Sequence, residues 1–344
     1  MAEGSMKVLI LGGTGVISRA VVKLLLKENH RVVLFNRGKN PYSFGSDVEH
    51  ISGDRLDREF FRNRLRKERF DAVIDMICFN KDDARSTLET FRDNAGHIVI
   101  CSSIAAYKRP YRSVPTVEEA ERLWDNPEFP YAYNKAEAER FVSGILKKEK
   151  LPVTLIRPSL TYGEGAVNIG VLRQNYGIVH RIRKGKPLVM FGDGCTSWSW
   201  TFAPDLAKAF VGVLGNEKTF GQAYHAASEE RRIWEDLYLE FGRLVGKEPE
   251  IVHIPSELLY MAAPDLCNHL YFEKTHTGLL DSTKIKQVVP GFTADISLRD
   301  GLQSILTWWE RDTPPIDPEK DELEDRLVSI YNHWADQMKN LYSR

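Results

Sequence analysis

Charge of one sign is what this 344-residue chain lacks most plainly: 47 Lys and Arg face 48 Asp and Glu, leaving −1 at neutral pH. Without a one-signed field there is no long-range attraction for a polyanion, which argues against nucleic acid or an anionic membrane surface as the main partner. Cysteine is scarce too. The four, Cys78, Cys101, Cys195 and Cys267, lie far apart, as expected of reduced thiols in a cytoplasmic protein rather than disulfides. The nine histidines show no ligand spacing, so no metal site is expected. No apolar run approaches the roughly 20 residues of a membrane span, and no charged-then-apolar signal opens the chain. Met1–Ser5 read as an extension ahead of a natural start at Met6. Repeats and low-complexity segments are missing, while 42% hydrophobic residues and ample length allow a sizeable core.

What is present is alternation. Apolar runs at 7–11, 31–36, 48–52, 71–77, 97–101 and 152–157 predict strands, and segments of 3.6-residue period near 16–28, 56–68, 81–94 and 131–149 predict helices between them. Strands too apolar to have a wet face imply a parallel sheet covered on both sides, with the ligand at the strands' carboxyl ends. The expected fold class is therefore α/β, a doubly wound parallel sheet of Rossmann type with a smaller C-terminal substrate lobe. Residues 6–157 would form the dinucleotide-binding domain and 158–312 mainly the substrate lobe, with late strands returning to the sheet. In 313–344, a Pro-rich linker would lead to an amphipathic helix over 319–341. Its stripe of Leu323, Leu327, Ile330, Trp334 and Met338 would pack on the body or on a second subunit.

Two stretches carry chemistry. Lys7–Leu11 runs into Gly12-Gly13-Thr14-Gly15 and then a helix beginning near Val16. Gly12 suits a tight turn, Gly15 lets the main chain approach a pyrophosphate, and the helix's first N–H groups face the anion. Ser18 replaces the third glycine. The second apolar strand ends at Asn36-Arg37, the place that selects between cofactors: a neutral Asn36 followed by Arg37 favours a 2′-phosphate, hence NADP, with NAD the other candidate. Further on, Tyr131 and Lys135 stand one helical turn apart, so an ammonium near the phenol favours the phenolate and makes Tyr131 a usable acid or base. Ser102-Ser103 close the strand ending at Cys101 and place hydroxyls at the same sheet edge.

Taken in order, Gly12–Ser18, Gly53-Asp54, Ser102-Ser103 with Tyr107, Tyr131 with Lys135, and Arg157-Pro158 with Tyr162-Gly163 resemble an extended short-chain dehydrogenase/reductase of the NAD-dependent epimerase/dehydratase group, over nearly all of 6–310. The resemblance implies that Ser103 polarises the substrate oxygen, Tyr131 moves its proton, and Lys135 binds the nicotinamide ribose while tuning Tyr131. It also implies cofactor contacts from Gly12, Gly13, Thr14, Gly15, Val16, Ile17, Asn36, Arg37, Asp54 at the adenine, Arg55, Ile77, Tyr131, Lys135 and Arg157. A homodimer is expected through the Tyr131 helix, where Ala138, Phe141, Val142, Ile145 and Leu146 make an apolar face that would otherwise cover the sheet.

The chain departs from that group where Leu160 replaces an asparagine, Trp198 an arginine that grips a nucleotide diphosphate, and Ile104-Ala105 the Asp-Glu pair of 4,6-dehydratases. Phe35–Gly38 and Gly53–Arg55 instead resemble an atypical branch that includes chloroplast stem-loop-binding proteins. The expected activity is an NAD(P)-dependent epimerase or oxidoreductase acting on a sugar-like alcohol or ketone. The alternatives are an NADP-dependent carbonyl reductase of a non-nucleotide substrate and a nucleotide-regulated RNA- or protein-binding member of the fold.

Overall fold

The computed structural model describes residues 4–40, 44–339 and 341. In chain order the elements are β1 (Lys7–Leu11), α1 (Val16–Lys27), β2 (Arg31–Asn36), β3 (Val48–Ser52), α2 (Arg58–Leu65), β4 (Ala72–Asp75), α3 (Lys81–Phe91), β5 (Ile98–Cys101), α4 (Pro130–Leu146), β6 (Val153–Pro158) and β7 (Leu160–Tyr162). There follow α5 (Tyr176–Lys184), β8 (Leu188–Phe191), β9 (Ser197–Phe202), α6 (Ala203–Gly212), β10 (Ala223–Ala226), β11 (Arg231–Ile233), α7 (Asp236–Val245) and β12 (Ile251–Ile254). The chain closes with α8 (Ser256–Ala262), α9 (Pro264–His269), α10 (Thr283–Val288), α11 (Leu298–Arg311) and α12 (Pro318–Lys339).

Contacts divide the chain into two compact units. The first holds residues up to Gly165 with Ser199–Glu229 and Leu279–Ile296. Its sheet has seven strands in the order β10-β6-β5-β4-β1-β2-β3, every neighbouring pair parallel. The order reverses beside β1, so the crossovers leave a crevice at the carboxyl ends of β1 and β4. Alternate residues of β1 serve the two faces: Val8 and Ile10 pack with Val21 of α1 and Phe210 of α6, Leu9 and Leu11 with Phe61 of α2 and Phe91 of α3. Burial on both sides is why the strands read as continuous apolar runs.

Two boundaries fall inside the expected ones for a local reason. The strand expected over 71–77 stops at Asp75, whose Oδ1 accepts the Ile77 N–H at 3.0 Å and turns the chain. The helix expected from 56 starts at Arg58 because Asp57 caps it, accepting the Phe60 N–H at 3.0 Å. On α4, Ala138 and Val142 are buried against the sheet, with Phe141, Ile145 and Leu146 packed around them. Ala138 and Val142 thus serve the protein's own core, while Phe141, Ile145 and Leu146 stay partly accessible.

The second unit holds Ala166–Trp198, Glu230–Gly278 and the chain from Ser297 on. Here β8 pairs in parallel with β12. Along the α12 stripe Leu323 and Leu327 are partly buried and Ile330, Trp334 and Met338 are exposed, while the buried residues of the helix are Glu324 and Val328. Charge anchors the helix. Arg181 of α5 reaches Asp321 at 2.6 Å, Asp325 at 2.8 Å and Glu324 at 3.2 Å, and Lys186 joins Asp321 and Asp325. Glu324 Oε1 also accepts the Val189 N–H at 2.7 Å and the Gln174 amide at 2.9 Å.

Burial pushes the Glu324 carboxyl up from 4.5 to about 7, against the pull of Arg181. The folded state therefore keeps a proton that the unfolded chain releases, and the associated stability is present below about pH 4.5 and lost as pH rises through about 7. Glu324→Gln mimics the protonated form. Compared with this variant, the wild type is expected to lose up to roughly 3 kcal/mol between pH 5 and 8 in chemical denaturation; parallel pH dependences contradict it.

Candidate active site

The turn after β1 needs glycine. Gly12 and Gly13 have φ of +106° and +100°, and a Cβ on Gly13 would come within 2.7 Å of the Leu34 side chain. The turn is clipped to β2 by Asn36, which donates to the Gly12 carbonyl at 2.8 Å and accepts the Gly38 N–H at 2.8 Å. Asn36, expected at the cofactor ribose, thus spends its amide on the turn, and its Oδ1 also meets His50 Nε2 at 2.8 Å.

Around this turn opens a cleft of about 680 Å³ bordered by Gly12, Thr14, Arg37, Asp54, Ile77 and Phe79. Arg37 and Asp54 are solvent-accessible and lie 3.9 Å apart. A Cβ on Gly53 would strike the Phe35 and Phe60 rings at 2.7 Å, so only glycine leaves the aromatic wall in place. Gly15 is exposed at the start of α1, and Val16 and Ile17 follow it in the first turn, partly buried. This set fits a dinucleotide: a close-approach backbone, a helix N-terminus for phosphates and an aromatic and polar wall for a base.

Arg55 borders the cleft but its guanidinium turns inward. It donates to Asp75 Oδ1 at 2.9 Å, to the Ile77 carbonyl at 2.8 Å, and to the Asp83 carbonyl and Thr87 at 2.9 and 3.0 Å. Its observed work is to tie the loop after β3 to the loop after β4.

Lys135 is buried in α4, and its Nζ donates to the Cys78 and Cys101 carbonyls, both at 2.8 Å. It therefore bridges the loop after β4 and the end of β5. Burial works against its charge, but Tyr131, Cys101, Cys78 and Asp75 outweigh it and hold the ammonium above the usual lysine range. One turn before it, Tyr131 is 45% exposed, which leaves its phenol accessible. Ser103 sits at the end of β5, where its Oγ accepts the Ala105 N–H at 3.1 Å. That leaves the hydroxyl proton to donate. Ile104 and Ala105 are buried beneath it.

Under these groups runs a buried polar chain. Glu139, a further turn along α4, accepts from Ser102 and takes Arg157 Nε at 2.9 Å. Arg157 donates to the Tyr107 hydroxyl at 2.6 Å, Tyr107 donates to His225 Nε2 at 2.7 Å, and His225 Nδ1 donates to the Asp281 carbonyl at 3.2 Å. Burial, then Arg157, lowers His225 to about 3, so it stays neutral. Arg157, expected at the cofactor, is here the internal partner of Glu139. Sequence reasoning passed over Glu139, Asp75 and His225. The available signal was that Tyr131, Lys135 and Glu139 follow one another at intervals of four along one helical stripe.

The model of the family described as "NAD dependent epimerase/dehydratase family" matches residues 8–227. The chain belongs to this family of enzymes. Among curated relatives of this epimerase/dehydratase chain is chloroplast stem-loop binding protein of 41 kDa b from Arabidopsis thaliana, 29% identical over 73% of this chain and 67% of that protein. Another is 2′-dehydrokanamycin reductase from Streptomyces kanamyceticus, 27% identical over 74% and 71%. Among solved structures, a dTDP-glucose 4,6-dehydratase from Bacillus anthracis in complex with NAD superposes with a TM-score of 0.74 at 18% identity, covering 90% of this chain and 98% of that one. The shared fold is the parallel sheet with helices on both faces. No helix among the described residues is long and apolar enough to cross a membrane.

Glu139 holds the site's support together, so its removal is predicted to be costly. Glu139→Ala strands a buried guanidinium, and chemical denaturation is expected to show a loss of about 3–5 kcal/mol; a loss under 1 kcal/mol contradicts the role.

Proposed function

We propose that the chain is a nicotinamide-dinucleotide-dependent epimerase or oxidoreductase acting on a sugar-like alcohol or ketone, with Ser103, Tyr131 and Lys135 as its catalytic residues. The observation that carries this reading is Lys135: a buried ammonium fixed by two carbonyls, one turn from an accessible tyrosine. Two of its three N–H donors are spent, which leaves one for a ribose hydroxyl or for Tyr131. Ser103 donates its free hydroxyl proton to the substrate oxygen and stabilises charge developing there. Tyr131 gives a proton to that oxygen in reduction or takes it in oxidation.

The cofactor is held by Gly12 to Ile17, Arg37, Asp54, Ile77 and Lys135, and when bound it supplies the hydride donor or acceptor. We assign substrate recognition chiefly to 158–312. Buried Ile104 and Ala105 offer no acid or base beside Ser103, which supports epimerisation or reduction over removal of water across a hexose. Incubation with cofactor and a panel of UDP-, dTDP- and GDP-hexoses and keto sugars, read by mass spectrometry, is expected to give an isomer or an alcohol; a sugar product lighter by one water overturns this.

The finer reading of the cofactor is NADP(H). The residue ending β2 is not a carboxylate, Asn36 is committed to the turn, and accessible Arg37 can pair a 2′-phosphate in competition with Asp54. Calorimetry is expected to show NADP⁺ binding more tightly than NAD⁺, and Arg37→Ala weakening NADP⁺ roughly tenfold with NAD⁺ unchanged; equal or tighter NAD⁺ binding contradicts it. Tyr131→Phe is expected to remove most turnover and leave cofactor binding largely intact, because only the hydroxyl moves the proton. Near-normal turnover would show another acid or base at work.

The similarity to the Arabidopsis stem-loop binding protein favours one second reading, nucleotide-regulated RNA binding. Salt-dependent RNA binding with no turnover on any sugar would select it.

A further inference from the structure

Arg55, Arg157 and Arg181 are buried arginines of the two units, and each meets a carboxylate: Asp75, Glu139 and the α12 acids. Arg173, in the second unit, does not. Its Nη2 lies 3.2 Å from His269 Nδ1, its Nε is buried without an acceptor, and no carboxylate comes within ion-pair distance among the described residues. Burial pulls its pKa below the usual arginine range. His269 is held well below the ordinary histidine range by burial, then by Arg173 and Lys274, so a neutral ring faces the guanidinium. Lys274 is paired with Glu273 at 3.0 Å and lies 4.0 Å from the Trp198 ring.

The loop carrying Arg173 is fixed from outside. Arg173 and Asn175 both have φ of +54°, a region that non-glycine residues enter at a cost and keep only when neighbours hold them there. Those neighbours are visible. Gln174 accepts the Leu172 N–H at 3.0 Å and donates to Glu324 of α12 at 2.9 Å. Asn175 accepts the Ile169 N–H at 2.9 Å, and Lys320 of α12 donates to the Arg173 carbonyl at 3.3 Å. The flanking polar side chains are thus used to build the loop, while the guanidinium it presents has no anion.

A half-buried guanidinium without a counter-charge is unfavourable unless something supplies one. We propose that Arg173, with His269 beside it, is the recognition site for an oxyanion on a bound ligand, a phosphoryl or carboxylate group taken by the guanidinium's remaining donors in a forked contact. His269, neutral, adds no competing charge and orients the guanidinium through Nδ1. Glu324 and Lys320 of α12 act as positioning residues for the loop. Identifying the ligand with the substrate rests on the function proposed above; the anion site itself does not.

The test is calorimetry on the full chain without cofactor, using pyrophosphate, UDP and glucuronate as probes and uridine and glucose as neutral controls. At least one charged probe is expected to bind more tightly than its neutral control, with phosphoryl and carboxylate sources separated by which one does. Arg173→Ala is expected to weaken that probe by roughly tenfold or more. Arg173→Lys, which keeps the charge but not the fork, is expected to lose roughly threefold or more, and it decides the matter if the alanine variant does not fold. Failure of every charged probe, or unchanged affinity in the folded variants, overturns the proposal. Turnover of a neutral keto sugar by Arg173→Ala would leave the functional reading standing in that event.

Discussion

Lys135 is the interaction on which the site depends. A lysine rarely sits buried without a carboxylate, and here two backbone carbonyls, from the loop after β4 and the end of β5, take that place. The charge is retained because Tyr131, Cys101, Cys78 and Asp75 outweigh desolvation, and the geometry is retained because α4 is packed on the sheet through Ala138 and Val142. Tyr131, exposed one turn earlier, inherits its position from this anchor. The same bonds bring β4's following loop, which lines the dinucleotide cleft, into register with the edge that carries Ser103.

Buried cations in this protein divide by what compensates them. Arg55, Arg157 and Arg181 are matched to acids and serve as scaffolding: they tie loop to loop, β6 to α4, and α12 to α5. Removing one partner of such a pair is costly even where the intact pair contributes little net stability. Lys135 and Arg173 have no carboxylate among the described residues, and both keep donors in reserve. That contrast separates groups that hold the structure from groups available to a ligand.

The sheet was legible because its strands are buried on both faces and its helices alternate with them, so periodicity and apolar runs carry the signal. The turn at Gly12 and Gly13 was legible because only glycine tolerates its φ values. Direction and pairing were not. Arg55 and Arg157 stand at motif positions that point to a cofactor, yet each guanidinium is drawn inward by an acid about twenty residues away, Asp75 and Glu139, a contact no local pattern encodes. Asn36 and Arg37 look equivalent in sequence, but one is consumed by the turn and the other left accessible. On α12 the apolar stripe was legible, but the ion pairs that seat the helix, Asp321, Glu324 and Asp325 with Arg181 and Asp321 and Asp325 with Lys186, join residues about 140 positions apart and no local spacing encodes them.

The central claim is that the crevice beside β1 and β4 is where a nicotinamide dinucleotide lies with its reactive end at Tyr131. A crystal structure of the full chain with NADP(H) tests it most directly. The account predicts the pyrophosphate over Gly12–Gly15, the adenine end between Arg37 and Asp54, and a ribose hydroxyl within hydrogen-bond reach of Lys135 and Tyr131. A dinucleotide bound elsewhere, or lying in the crevice with its nicotinamide turned away from Tyr131, would contradict it.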